Sequence, residues 1–155
     1  PDARAVKILV VDDQPDLRFL FRVNLALEGY AVVEAADGIS AVSAIRRETP
    51  DLMLLDVMMP RLDGWGVLDA LRDDGRLDAP PVVLVSALVQ PEDQIRAWLA
   101  GIAEYLAKPF SPSSLLDVVA QTLLRTDHAE RRRRALANLG VSHPDADGAR
   151  PHAAR

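Results

Sequence analysis

Five polar side chains in this 155-residue sequence stand at the ends of short apolar runs. Asp12 and Asp13 follow Lys7-Ile8-Leu9-Val10-Val11, and Asp56 follows Leu52-Met53-Leu54-Leu55. Ser86 closes Val82-Val83-Leu84-Val85, and Lys108 follows Glu104-Tyr105-Leu106-Ala107. Singly, each is ordinary: an acid after an apolar run commonly caps a helix, a serine is a small polar residue, and a lysine is a solvated charge. Brought together they would do chemistry. Three carboxylates at close range repel one another unless something neutralises them. A hard cation with oxygen ligands does so, and Mg²⁺ typically combines one or two carboxylates with waters and phosphate oxygens. Of the 18 basic residues only Lys7 and Lys108 are lysines. In so arginine-biased a chain, a lysine at the site fits a place that calls for a compact point charge; the bland alternative is chance placement.

The apolar runs are what must position these groups. Continuous runs of this length suit strands buried on both faces, as in a parallel sheet. Ala31-Val32-Val33-Glu34-Ala35 is weaker and more amphipathic, as an edge strand would be, and Glu104 to Ala107 is a fifth strand candidate. Helical spacing links Leu17, Leu20, Phe21 and Leu25, with Pro15 in the first turn and Gly29 at the C-terminal cap. Further stripes are Ala41, Val42 and Ile45, ended by Pro50; Leu68 and Leu71; Ile95, Trp98 and Leu99; and Leu115, Leu116, Val119 and Leu123 after Ser111-Pro112. Five repeats of strand then helix predict an α/β fold with helices on both faces of a parallel sheet. Right-handed crossovers leave few topologies, and a five-stranded doubly wound sheet in the order 2-1-3-4-5 leads. In such sheets ligands bind beyond the carboxyl ends of the strands, where the strand order reverses. That edge is where the aspartates, Ser86 and Lys108 should converge.

Composition agrees with a globular domain: 49% of residues are apolar and 26% charged. The absence of cysteine excludes disulfides, thiolate zinc sites and cysteine nucleophiles. Ser86 interrupts the longest apolar run, which is far short of the roughly 18 residues of a membrane span. Pro1-Asp2-Ala3-Arg4 has no signal-peptide plan, so a cytoplasmic location is the default expectation. The net charge of −5 hides an asymmetry, because Arg125 to Arg155 carries 7 basic and 4 acidic residues. An acidic body is a poor nucleic-acid surface.

The motifs Val10-Val11-Asp12-Asp13, Leu54-Leu55-Asp56-Val57-Met58-Met59-Pro60, Asp63-Gly64, Val85-Ser86-Ala87 and Tyr105-Leu106-Ala107-Lys108-Pro109-Phe110 occur in this order. Together they resemble the signature of bacterial two-component response-regulator receiver domains, whose fold is flavodoxin-like, over roughly Lys7 to Leu124. The resemblance implies a role for each matching residue. Asp56 is the phosphoacceptor. Asp13, Asp56 and the Met58 backbone carbonyl are metal ligands for Mg²⁺, and Asp12 acts mainly through metal-bound water. Lys108 pairs with the phosphoryl group. Ser86 and Tyr105 are the switch residues, and Ala87 leaves the phosphoryl group room. The peptide between Lys108 and Pro109 is expected to be cis. The implied partners are a sensor histidine kinase or phosphotransfer protein as donor and a downstream output protein as reader, with room for a phosphorylation-dependent homodimer. The implied output face is built from the fourth helix, fifth strand and fifth helix.

Some positions depart from the family pattern. Ile102-Ala103 stands where a small and an acidic residue are common, and Trp65-Gly66 is an unusual opening for the third helix. Trp98 and Leu99 are adjacent, so one of them should face outward; Trp98 is expected in the core. Residues 1–125 read as the receiver domain and 126–155 as a basic helical extension with a disordered tail from Gly140. Asp127 to Leu139 would prolong the last helix, with Arg131-Arg132-Arg133-Arg134 as a solvated face. No aromatic residue interleaves with those arginines to stack on bases, which disfavours nucleic acid. The tail is too short for a DNA-binding domain, leaving a stand-alone receiver or a removed output domain. Two other function classes stay open: a Mg²⁺-dependent phosphohydrolase, and a degenerate receiver used only for docking.

Overall fold

The computed structural model describes residues 4–75, 80–87 and 90–141. These residues form five strands and six helices: β1 (Lys7–Val11), α1 (Pro15–Leu27), β2 (Ala31–Ala35), α2 (Gly38–Glu48), β3 (Leu52–Asp56), α3 (Gly64–Asp73), β4 (Val82–Ser86), α4 (Pro91–Leu99), β5 (Glu104–Ala107), α5 (Pro112–Leu124) and α6 (His128–Asn138). The strands make one parallel sheet in the order β2-β1-β3-β4-β5, as the alternation of patterns predicts.

Side-chain alternation along the central strands divides the core in two. Leu9, Val11, Met53, Leu55 and Leu84 point to one face, where α2, α3 and α4 cover them. Ile8, Val10, Leu52, Leu54, Val83 and Val85 point to the other, against Phe21 and Leu25 of α1 and Leu115 and Val119 of α5. Burial on both faces is why these strands read as unbroken apolar runs. Each fully buried aliphatic side chain contributes about 1.5–3 kcal/mol relative to exposure, so the sheet is a stiff platform for its edge.

Local signals set the helix ends. Pro15, Pro91 and Pro112 each open a helix, where the missing N–H costs nothing. Ser111 and Ser114 bond reciprocally as a capping box on α5. Gly29 ends α1 at φ +89°, with Gly29 N–H on the Ala26 carbonyl and Tyr30 N–H on the Leu25 carbonyl; a left-handed residue is required there and glycine supplies it at no steric cost.

The chain beyond α5 differs from expectation. The last helix is not prolonged: Arg125 is extended (φ −74°, ψ 140°) and breaks it, and α6 is a separate helix. Nor is α6 simply solvated, since Ala135 and Leu136 are buried in the cluster that holds Trp98 and Ile102. Gly140 and Val141 belong to its ordered end, Gly140 donating to Ala137 O and Val141 to Leu136 O. The rest of the expected disordered tail lies outside the described residues. The adjacent pair in α4 resolves as expected, with Trp98 5% and Leu99 45% exposed.

The loop between β3 and α3 is pinned to the start of α2. Asp37 caps α2 by accepting from Ser40 N–H at 2.8 Å and pairs with Arg61, while Gly38 N–H donates to the Leu62 carbonyl at 3.0 Å. The Ser40 N–H first, and then the Arg61 guanidinium, hold the Asp37 carboxyl down from its ordinary 3.8 to about 2. A lowered carboxyl pKa stabilises the fold above the unfolded value, and that contribution is lost as pH falls through the folded value. Asp37→Asn should therefore be less stable than wild type in urea unfolding at pH 7, with the gap closing between pH 3.8 and about 2. A Cβ on Gly38 would sit 2.1 Å from Leu62 O. Gly38→Ala should cost about 1–3 kcal/mol, the range of overpacking, and shift amide resonances throughout residues 57–63.

Candidate functional site

The carboxyl edge of the sheet gathers the five polar groups because β1, β3 and β4 end in register and β5 lies beside β4. Val11 aligns with Leu55, Asp56 with Val85, and Ser86 with Ala107. One residue past β1, Asp12 is almost fully buried, Asp56 ends β3 buried, and Asp13 is exposed at the mouth. Carboxylate oxygens of Asp12, Asp13 and Asp56 all lie within 4.8 Å of one another. Lys108 Nζ reaches in from the end of β5, 3.4 Å from Asp12 Oδ2 and 3.6 Å from Asp56 Oδ2. The Lys108–Pro109 peptide is cis, as the resemblance implies.

The backbone fixes the acids. Asp12 N–H donates to the Ala35 carbonyl at 3.2 Å, its carboxylate accepts Gln14 N–H at 2.8 Å, and Arg18 Nη1 donates to the Asp12 carbonyl at 2.7 Å. Asp56 Oδ1 accepts Met58 N–H at 3.3 Å. Behind it, Gly64 N–H donates to the Val57 carbonyl at 2.8 Å, and a Cβ on Gly64 would stand 2.5 Å from Asp56 O. The glycine of Asp63-Gly64 thus lets α3 abut the strand end that carries Asp56. At the Trp65-Gly66 opening a Cβ on Gly66 would meet only the Leu62 side chain, at 2.3 Å from Cδ1, a contact that a leucine rotation relieves. Arg18 has no chemical signature of its own in sequence, and the Asp63-Gly64 motif marks the glycine without showing the backbone contact it serves, because a contact across the fold leaves no local pattern.

Burial pushes the Asp56 carboxyl up, and the negative charge of Asp12 adds to it; Lys108 and the Met58 N–H pull the other way without cancelling the rise. The Lys108 ammonium faces two of the three clustered carboxylates, so among the described residues the pocket is short of positive charge. An all-oxygen, anionic donor set of this kind fits a small hard cation, and by the same chemistry it is unsuited to soft metals.

Ser86 is buried at the end of β4. Its backbone carbonyl accepts Lys108 N–H at 2.9 Å and the Tyr105 hydroxyl at 3.2 Å, so one peptide unit touches both the residue that faces Asp56 and the aromatic on β5. Burial raises the Tyr105 hydroxyl above its ordinary value. Met58 projects into solvent, 70% exposed, and Ala87 is exposed just past β4.

Comparison with known proteins agrees with this geometry. Residues 8–120 match the response regulator receiver domain family. A probable transcriptional regulator, ycf27, of Porphyridium aerugineum is 39% identical over 135 residues, covering 87% of this chain and 55% of the relative; the chain spans about half the length of the curated relatives it matches. Among solved structures, the receiver domain of Francisella response regulator 1452 is 33% identical, with TM-score 0.72 over 78% of this chain and 98% of the other. The BeF₃-activated N-terminal receiver domain of Klebsiella pneumoniae RstA is 32% identical, with TM-score 0.70 over 77% and 99%.

The electrostatics of the edge make a direct prediction. A carboxyl whose folded pKa is raised favours the fold at low pH, and that advantage is lost as pH rises through the folded value. Asp56→Asn removes the uncompensated charge. In metal-free buffer it should melt higher than wild type at pH 7, and the difference should shrink as the pH is lowered toward the ordinary carboxylate value of 3.8.

Proposed function

This chain belongs to the response regulator receiver domain family, and on that premise we propose that it is the phosphoacceptor of a two-component pathway, receiving its phosphoryl group on Asp56. The observation that carries the proposal is the convergence of Asp12, Asp13 and Asp56 with Lys108 facing two of them. Receiver domains catalyse only their own phosphorylation and dephosphorylation. We assign the receiver to residues 1–125, with α6 beyond it.

Asp13, Asp56 and the Met58 backbone carbonyl would hold Mg²⁺, with Asp12 acting through metal-bound water. When bound, the ion supplies positive charge that neutralises the phosphoryl oxygens. The remaining steps belong to the side chains. A carboxylate oxygen of Asp56 forms a bond to phosphorus in line with the bond that breaks to the donor. Charge then spreads over the equatorial oxygens, so positioning and neutralisation do most of the work. Lys108, already poised between Asp12 and Asp56, follows the transferred charge. The acyl phosphate places about −1.5 to −2 charges where a carboxylate had one. The Ser86 hydroxyl turns to this new acceptor and Tyr105 adjusts behind it, which biases a pre-existing equilibrium. The output face is α4, β5 and α5.

The donor is a sensor histidine kinase or phosphotransfer protein. The reader is a downstream output protein or an output domain, and the length of the matched relatives, several of them named probable transcriptional regulators, favours an output domain. No helix among the described residues is long and apolar enough to cross a membrane, in keeping with a cytoplasmic site of action.

Incubation with Mg²⁺ and a small phosphodonor such as acetyl phosphate tests the proposal. Wild type should form a transient acyl phosphate, seen by mass spectrometry, and Asp56→Asn should form none. Multiple turnover of the donor without a trapped intermediate would favour a phosphohydrolase instead, and no reaction a docking module. Asp13→Ala removes a direct ligand, so Mg²⁺ affinity measured by tryptophan fluorescence should fall by at least roughly tenfold, the lower end of what even indirect ligand partners contribute. Ser86→Ala should keep Mg²⁺ binding but transmit little of the beryllofluoride-induced amide shifts to Tyr105.

A further inference from the structure

The chain's own α6 packs on the corner of the output face where α4 runs into β5. Ala135 and Leu136 enter the apolar cluster beside Trp98 and Ile102. The seam around them is polar and specific. Glu104, on the edge strand, accepts Arg131 Nε on Oε2 at 3.1 Å and Arg131 Nη2 on Oε1 at 3.2 Å. The same guanidinium stands 5.6 Å from the centre of the Trp98 ring. Arg132 donates to the carbonyls of Ile102 and Gly101 at 3.4 and 3.3 Å, just past the end of α4, where the helix dipole favours a cation. Glu104 Oε1 also accepts Tyr105 N–H at 3.0 Å, so one carboxylate joins the backbone of Tyr105 to α6.

Two features mark α6 as a detachable part of this assembly. It buries two side chains fully, Ala135 and Leu136, with Leu139 and Val141 partly buried at its end, and elements with few buried contacts open most readily. It is joined to α5 by the three residues Arg125–Asp127 alone and carries its own helix-supporting pair, Arg134 with Glu130 at 2.6 Å. The arginine run is spent on the protein itself at Arg131, Arg132 and Arg134. The departure at Ile102 has its use here as well, since its side chain is in the core and its carbonyl is an acceptor for Arg132.

We propose that α6 is an occupant in cis of the α4–β5 face, and that a partner reading this face must displace it with an amphipathic helix offering an arginine to Glu104 and a small apolar patch to Trp98. This rests on the reading of α4, β5 and α5 as the output face. It gives the receiver a default state in which that face is closed by its own chain.

The test uses the full chain with Arg131→Glu, and with Glu104→Arg and Arg131→Glu combined. Amide hydrogen exchange over residues 128–138 should quicken by roughly tenfold or more in the single variant, as for a locally opened element, and return toward wild type in the double variant, while β1 and β3 amides stay protected in all three. A fluorescent peptide of residues 126–141 should bind the single variant in trans and leave wild type unbound. Unchanged exchange over α6 in the single variant, or failure of that variant to take up the peptide, overturns the proposal. Adding Mg²⁺ and beryllofluoride separates it from the reading beneath it. If shifts arise around Asp56 but never reach Glu104 and Tyr105, the face is not an output face and the partner clause falls. If no shifts arise at Asp56 at all, it is the phosphoacceptor reading that fails, whatever α6 does.

Discussion

Like charges held close together at the edge of a dry sheet are the interaction on which this molecule turns. Asp12 and Asp56 are buried, Asp13 is beside them, and the Lys108 ammonium stands within 3.6 Å of both buried carboxylates. Burial and mutual repulsion raise the free energy of the ionised site, as the upward displacement of the Asp56 carboxyl records. The fold tolerates this because the platform is overdetermined. The five strands carry two apolar clusters, and at about 1.5–3 kcal/mol for each buried aliphatic side chain they outweigh a poorly neutralised edge. The same shortage of positive charge is what makes the edge receptive to a hard cation and, with it, a phosphoryl group.

In the proposed switch, transmission from that edge would run through few atoms. The Ser86 carbonyl takes both Lys108 N–H and the Tyr105 hydroxyl, so a displacement of the β4 terminus would reach both the cation over Asp56 and the aromatic on β5. Glu104 then links the Tyr105 N–H to Arg131. None of these contacts is strong alone; exposed ion pairs are worth about 0–1 kcal/mol, and partly screened ones such as Glu104–Arg131 little more. Weak links suit a switch. About 5.5 kcal/mol of differential binding would carry a two-state equilibrium from 1:99 to 99:1, and a device built from a few bonds of this size operates within that span without threatening the core.

The arginine-rich segment shows how charge count and charge use differ. Four consecutive arginines look like a solvated or anion-seeking face, yet Arg131 and Arg132 turn back on Glu104, Gly101 and Ile102. What separates these outcomes is the neighbourhood: a carboxylate on an edge strand and carbonyls at a helix end are better partners for a guanidinium fork than bulk water when an apolar contact already holds the helix near.

Strand and helix order, the parallel sheet, and the identity of the groups at its edge are determined by sequence alone, because apolar periodicity and burial on two faces are local properties of short segments. Val10-Val11-Asp12-Asp13 and Leu54-Leu55-Asp56 carry both the strand and what it delivers. Proline at the start of α1 and α5, and Gly29 after α1, likewise act through φ and the missing N–H of a single residue. What only the tertiary structure decided involves residues far apart in the chain. The grip of Arg18 on the Asp12 carbonyl, the need for Gly64 behind Asp56, the pin from Asp37 to Arg61, and the return of α6 onto α4 and β5 all pair groups with no shared local pattern. The break at Arg125 is the clearest case. Helical propensity alone would run α5 onward through the arginines, and the helix stops because a turn there lets Leu136 reach the core and Arg131 reach Glu104, a gain that exists only once the sheet has formed.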